Sequence, residues 1–99
     1  MTETATCKVH RTIDILGSKW VMPIMYNLCT GKRGFNELER RIEGISPRIL
    51  SQRLKDLVEF GLVNKNVIPS TPPQTEYTLT EKGVSLKSVI TQLAEWGED

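Results

Sequence analysis

The chain has 99 residues, 38% hydrophobic and 25% charged, with a formal net charge of +1, which suits one soluble domain over 1–99 with a modest core. No apolar run approaches the roughly 18 residues of a membrane span, and the polar stretch Met1 to Thr6 has no signal-peptide core, so the expected location is cytoplasmic with no membrane partner. One histidine and two cysteines, Cys7 and Cys29, form no cluster at ligand spacing, so no metal or other cofactor is expected and no disulfide framework.

In chain order, the first predicted element is an N-terminal helix over 7–17, with Val9, Ile13 and Leu16 at helical spacing and Gly17 past its end. A second helix runs from about Lys19 to Thr30, its buried stripe built from Trp20, Val21, Ile24, Met25 and Leu28. Pro23 sits in its first turn, where a missing N–H costs little. Gly31 ends it, and Lys32-Arg33 suits a short strand.

The segment 35–60 reads as a helix-turn-helix. Phe35, Leu38 and Ile42 give the first helix its inward face, and Gly44 supplies the left-handed conformation of the turn. Ser46 is the expected N-cap and Pro47 fits the first helical position. On the helix from Pro47 to Phe60, Leu50, Leu54, Leu57 and Val58 are expected to face the core, with Gly61 closing it. Arg48, Gln52, Lys55 and Glu59 fall on the opposite side, flanked by Ser51. A helix that reads the major groove needs this build: apolar residues behind, adaptable hydrogen-bond donors in front. From Lys32 to Lys55 there are seven basic residues against three acidic, a local excess of four that the near-neutral total conceals.

The period then changes. Residues 62–79 form a wing hairpin of two β-rich runs around the stiff tip Pro69-Ser70-Thr71-Pro72-Pro73-Gln74. Thr80 caps a last helix over 81–96, with Leu86, Val89, Ile90, Leu93 and Trp96 as its apolar stripe. The expected fold class is α+β, mainly α: a winged helix-turn-helix with an added helix at each end, both serving dimerisation.

The chain resembles the HxlR-type winged-helix transcriptional regulators of bacteria and archaea over nearly all of Cys7 to Gly97. The resemblance is carried by Cys7 with Asp14-Ile15-Leu16-Gly17-Ser18-Lys19-Trp20, Arg33-Gly34-Phe35-Asn36-Glu37-Leu38, Gly44-Ile45-Ser46 and Leu50-Ser51-Gln52-Arg53-Leu54-Lys55-Asp56-Leu57. It continues through Gly61-Leu62-Val63, Pro72-Pro73 with Glu76-Tyr77-Thr78-Leu79-Thr80, and Gly83. It implies a homodimer that binds a pseudo-palindromic operator in double-stranded DNA, paired through its N-terminal and last helices. It also implies a possible small electrophile or oxidant as effector, sensed at the position of Cys7. Where many relatives carry a basic residue after the Pro-Pro pair this chain has Gln74, which weakens the case for phosphate contact at the wing tip.

The residues assigned to DNA are Asn36, Ser46, Arg48, Ser51, Gln52, Arg53 and Lys55. Arg48 suits guanine and Gln52 adenine, Ser51 either base or phosphate, and Lys55 phosphate. Arg53, beside the core stripe, serves structure or the DNA backbone equally well. Asn36 is placed on phosphate ahead of its neighbours Lys32 and Arg33. Cys7 is the redox candidate: Lys8, His10 and Arg11 and a helix start favour its thiolate, against the alternative of a small apolar residue at an interface. Cys29 is read as a buried filler and the only other thiol available as a partner. His10 is read as structural or solvent-facing, and Trp20 and Trp96 as core or interface bulk. With no phosphate-cradling glycine loop and no nucleophile–His–acid set, an enzyme is not expected. Two alternatives stay open: a regulator answering to a non-redox ligand or partner, and a winged helix used only for protein contact. Steep salt dependence would separate DNA binding from the last of these.

Overall fold

A computed structural model describes residue 10 and residues 13–98 of the chain. The helical turn at residues 13–16 (α1) leads through a bend into α2, Val21–Leu28. Next come β1 (Arg33–Gly34), α3 (Phe35–Arg41), α4 (Pro47–Phe60), β2 (Val63–Ile68), β3 (Gln74–Leu79), α5 (Glu81–Ser85) and α6 (Lys87–Glu98). The architecture is a winged helix-turn-helix with helices added at both ends, mixed α and β as the sequence predicts.

The wing is larger than a hairpin. β1 pairs antiparallel with β3, so the sheet has three strands in the order β1-β3-β2. Arg33 lies opposite Tyr77, and Val63 opposite Leu79. This pairing ties the entrance of the helix-turn-helix to the wing. The Thr71–Pro72 peptide at the tip is cis.

The core is built from α2, α3, α4 and the base of the sheet: Val21, Ile24, Met25, Leu28, Leu38, Leu50, Leu54, Leu57, Leu62 and Val63 are all nearly fully buried. Each buried aliphatic side chain contributes about 1.5–3 kcal/mol relative to exposure. Ile15 and Leu16 pack against this core, whereas Ile13 faces outward.

Two expectations need correction. The helix expected over 81–96 is two helices, broken at Leu86, whose φ of −87° and ψ of −8° end α5. Gly83 explains where α5 sits: a Cβ there would collide with the Leu62 carbonyl, so only glycine lets α5 lie this close to the end of α4. Val58, expected in the core, is 36% exposed. At about 100° per residue it stands roughly 80° from Leu50, at the edge of the apolar stripe, where the helix turns toward the sheet rather than the core.

Candidate nucleic-acid interface

α4 is fixed from behind and at both ends. Leu50, Leu54 and Leu57 are at most 1% exposed. At the start, the Ile49 N–H donates to Ser46 Oγ at 3.1 Å, and at the end Gly61 takes φ 87°, a left-handed cap. With the rod pinned in this way, its outer face has one orientation. Ser46, Arg48, Ser51, Gln52 and Lys55 are all exposed on it, and Asn36 is exposed near the start of α3.

Arg53 stands apart from that group. It is half-buried, its Nη1 donates to Asp56 Oδ2 at 3.0 Å, and its Nε is buried with no partner among the described residues. In this conformation its guanidinium is held on the flank of the helix. Gln52 Nε2 also donates to Asp56, at 3.0 Å to Oδ1. A bidentate contact to adenine uses one amide N–H and the amide O; the bond to Asp56 takes one of the two Gln52 N–H groups and leaves the other and Oε1 available. Arg48 makes no ion pair within the described residues.

The basic residues before α3 are largely occupied. Arg33 donates to the Asn27 carbonyl at 3.2 Å, to Glu37 at 2.9 Å and to Thr30 at 2.6 Å, which joins the end of α2 to α3. Arg41 reaches the same Glu37 at 3.4 Å, and Lys32 sits 3.8 Å from Glu76. Burial raises the Glu37 pKa, but hydrogen bonds and charge from Arg33 and Arg41 outweigh it and hold the carboxyl below its ordinary range. These contacts take Arg33 out of the set able to meet phosphate. Arg40 replaces it. It is exposed and lines, with Asn36, a cleft between α3 and the wing tip at Pro72, Pro73 and Gln74. The i,i+4 spacing of Asn36 and Arg40 was the available signal.

A different surface is apolar. Met22, Pro23 and Tyr26 of α2 and Ile90, Leu93 and Ala94 of α6 line a groove. Around it Tyr26 is 50% exposed, Val89 49%, Leu93 53% and Trp96 77%. Of the expected stripe on the last helix only Ile90 is in the core, with Leu86 packed against it. Cys29 is buried, and burial pushes its thiol pKa up, with Lys87 pulling the other way. Cys7 lies outside the described residues. His10 is exposed, and no group of His, Cys, Asp and Glu among the described residues could hold a metal ion. No helix among them is long and apolar enough to cross a membrane.

Comparison with known proteins matches residues 15–99 to a family model described as HxlR-like helix-turn-helix. The HTH-type transcriptional regulator YybR of Bacillus subtilis is 39% identical over 93% of this chain and 74% of its own length. The oxidised form of the redox regulator HypR superposes with a TM-score of 0.87, at 39% identity, covering 93% of this chain and 95% of that one. The reduced form of the transcriptional regulator YodB from B. subtilis gives 0.79 at 32% identity, covering 98% and 93%.

Proposed function

The chain belongs to the HxlR-like helix-turn-helix family of DNA-binding transcriptional regulators, and from that premise we propose that it reads a pseudo-palindromic operator as a homodimer. The observation that carries the reading is the pinned α4. Its apolar side is locked into the core, and its exposed side presents Ser46, Arg48, Ser51, Gln52 and Lys55 together. In this assignment Arg48 is the chief base reader, Gln52 a second whose amide Asp56 steadies, and Lys55 with Asn36 and Arg40 meet phosphates. Arg53 acts by positioning Asp56. The second copy is called for by the apolar groove and exposed Leu93 and Trp96, which two-fold pairing would cover. A footprint of the purified protein on the DNA upstream of its own gene tests the whole reading; protection of two half-sites about one helical turn apart, or a multiple of that, is the expected pattern. Absence of protection at low salt overturns it.

Thiol sensing at Cys7 is the second part of the proposal. It is supported by the neighbouring Lys8, His10 and Arg11, which favour a thiolate, and by similarity to a protein described as a redox regulator. Cys29 is a poor internal partner while it stays buried with a raised pKa, so an adduct or a bond between subunits is the better product. Diamide should weaken operator binding by the wild type and leave Cys7→Ser unaffected; equal responses leave Cys7 as a packing residue. An effector acting without a thiol would show as induction that survives Cys7→Ser.

A further inference from the structure

We propose that Lys65 of β2 and Lys55 of α4 together hold one backbone phosphate of bound duplex DNA, so that the wing grips through the body of its strand rather than its tip. This rests on the DNA-binding reading above and adds a residue to it. Lys65 is the only basic residue from Leu62 to Thr80, and the tip Pro69 to Gln74 carries no charge at all. The β2–β3 hairpin, if it touches phosphate through a cation, has no other to use.

The register decides where that cation lies. Lys65 is paired with Tyr77, two positions from the pair Val63 and Leu79 and two from Val67 and Thr75. Alternate residues share a face, so Lys65 is on the face whose neighbours Val63 and Tyr77 are buried, and not on the outer face of the sheet. A lysine solvated for its own sake would be expected on the outer side. Instead Lys65 lines a cleft of about 330 Å³ against Ser51, Lys55, Val58 and Glu59 of α4. The exposure of Val58, which the helical stripe alone does not predict, belongs to the same opening.

Charge in the cleft is only partly compensated. Lys55 and Lys65 face one carboxylate, Glu59, and among the described residues neither lysine has an acidic oxygen within 4 Å, whereas Lys32, Arg33, Arg41 and Arg53 all do. Two ammonium groups lining one opening repel each other, and an anion bound there removes that cost. A phosphodiester running between helix and wing supplies one, and its binding releases counterions.

The test uses a mixed-sequence duplex, on which binding reads phosphate contacts without a known operator, titrated between about 50 and 200 mM salt. Lys65→Gln and Lys55→Gln should each weaken binding and flatten the plot of log affinity against log salt. The double variant should lose about 0.9 of slope per bound protomer, the amount for one phosphate, rather than about twice that for two independent contacts. Lys65→Arg should restore the slope, which a merely structural role would not require, and unchanged unfolding midpoints confirm that the variants are folded. A wild-type slope in Lys65→Gln, or a doubled loss in the double variant, overturns the shared clamp while leaving DNA binding intact. Failure of the wild type to bind duplex at any salt overturns the DNA reading and the clamp with it.

Discussion

Arg48 and Gln52 sit one turn apart on the same exposed face, yet their neighbours make them unequal. Arg48 is unpaired among the described residues, whereas one N–H of the Gln52 amide is held by Asp56. Arg48→Ala should therefore cost about 1–3 kcal/mol per half-site contact and relax preference at particular bases. Gln52→Ala should cost a similar or smaller amount, and Asp56→Ala should loosen the orientation of the Gln52 amide and blur which bases are preferred; binding to operator variants measures all three. Operator affinity unchanged by both Arg48→Ala and Gln52→Ala would mean that another face reads DNA. Ser46→Ala removes the oxygen that accepts the Ile49 N–H and should lower folding stability by about 1 kcal/mol in chemical denaturation. Trp20, expected in the helical stripe, adopts a backbone conformation that its spacing does not predict. It takes φ 82° at the start of α2, a conformation that costs a bulky residue about 1–3 kcal/mol. Its ring lies near Gly44, in the turn before α4, so the bend after α1 and the helix-turn-helix are in contact there.

Among elements, Thr80 ties the ends of α4 and β3 to the start of α5. Thr80 Oγ1 donates to the Gly61 carbonyl at 2.6 Å and accepts from the Gly83 N–H at 3.0 Å, and the Thr80 N–H reaches Leu62 O at 3.0 Å. Gly83→Ala drives a methyl into the Leu62 carbonyl and should destabilise by about 1–3 kcal/mol, as overpacking does, lowering the unfolding midpoint without changing which bases are read. The Arg33–Glu37–Arg41 cluster joins α2, β1 and α3 in a second junction. Because the Glu37 pKa is lowered in the folded chain, its contribution is present at neutral pH and fades as pH falls below the ordinary carboxylate value. Glu37→Gln should reduce that acid sensitivity in unfolding curves taken from neutral to acid pH. The limits of α3 and α4 were readable because Gly44, Ser46, Pro47 and Gly61 act through local geometry. The break at Leu86 was not, since the sequence there continues an apolar stripe and only the close docking of Gly83 shows how α5 is placed.

For the molecule as a whole, apolar surface and basic surface lie on different elements. The groove between α2 and α6, with exposed Leu93 and Trp96, leaves the face of α4 free. Pairing there would set two copies of α4 roughly 34 Å apart or at a multiple of that spacing. Leu93→Asp should therefore yield a monomer by sedimentation and weaken operator binding steeply, because each head alone contacts half the site. A stable wild-type monomer at micromolar concentration would count against the dimer.

The succession of helices and wing, the helix that carries the donors, and the side of it that is buried are all legible along the chain. Those features follow from periodicity and caps, which act over a few residues. Tertiary structure decided the third strand, the division of the last helix, and the departure of Val58 from the core. It also decided which cations remain free: Arg33 and Arg41 are joined to Glu37 and Arg53 to Asp56, while Lys55 and Lys65 face each other across a cleft. Composition counts charges, but whether a charge is neutralised depends on neighbours brought together by packing and strand register. That is a property of distance in space, which spacing along the chain does not contain.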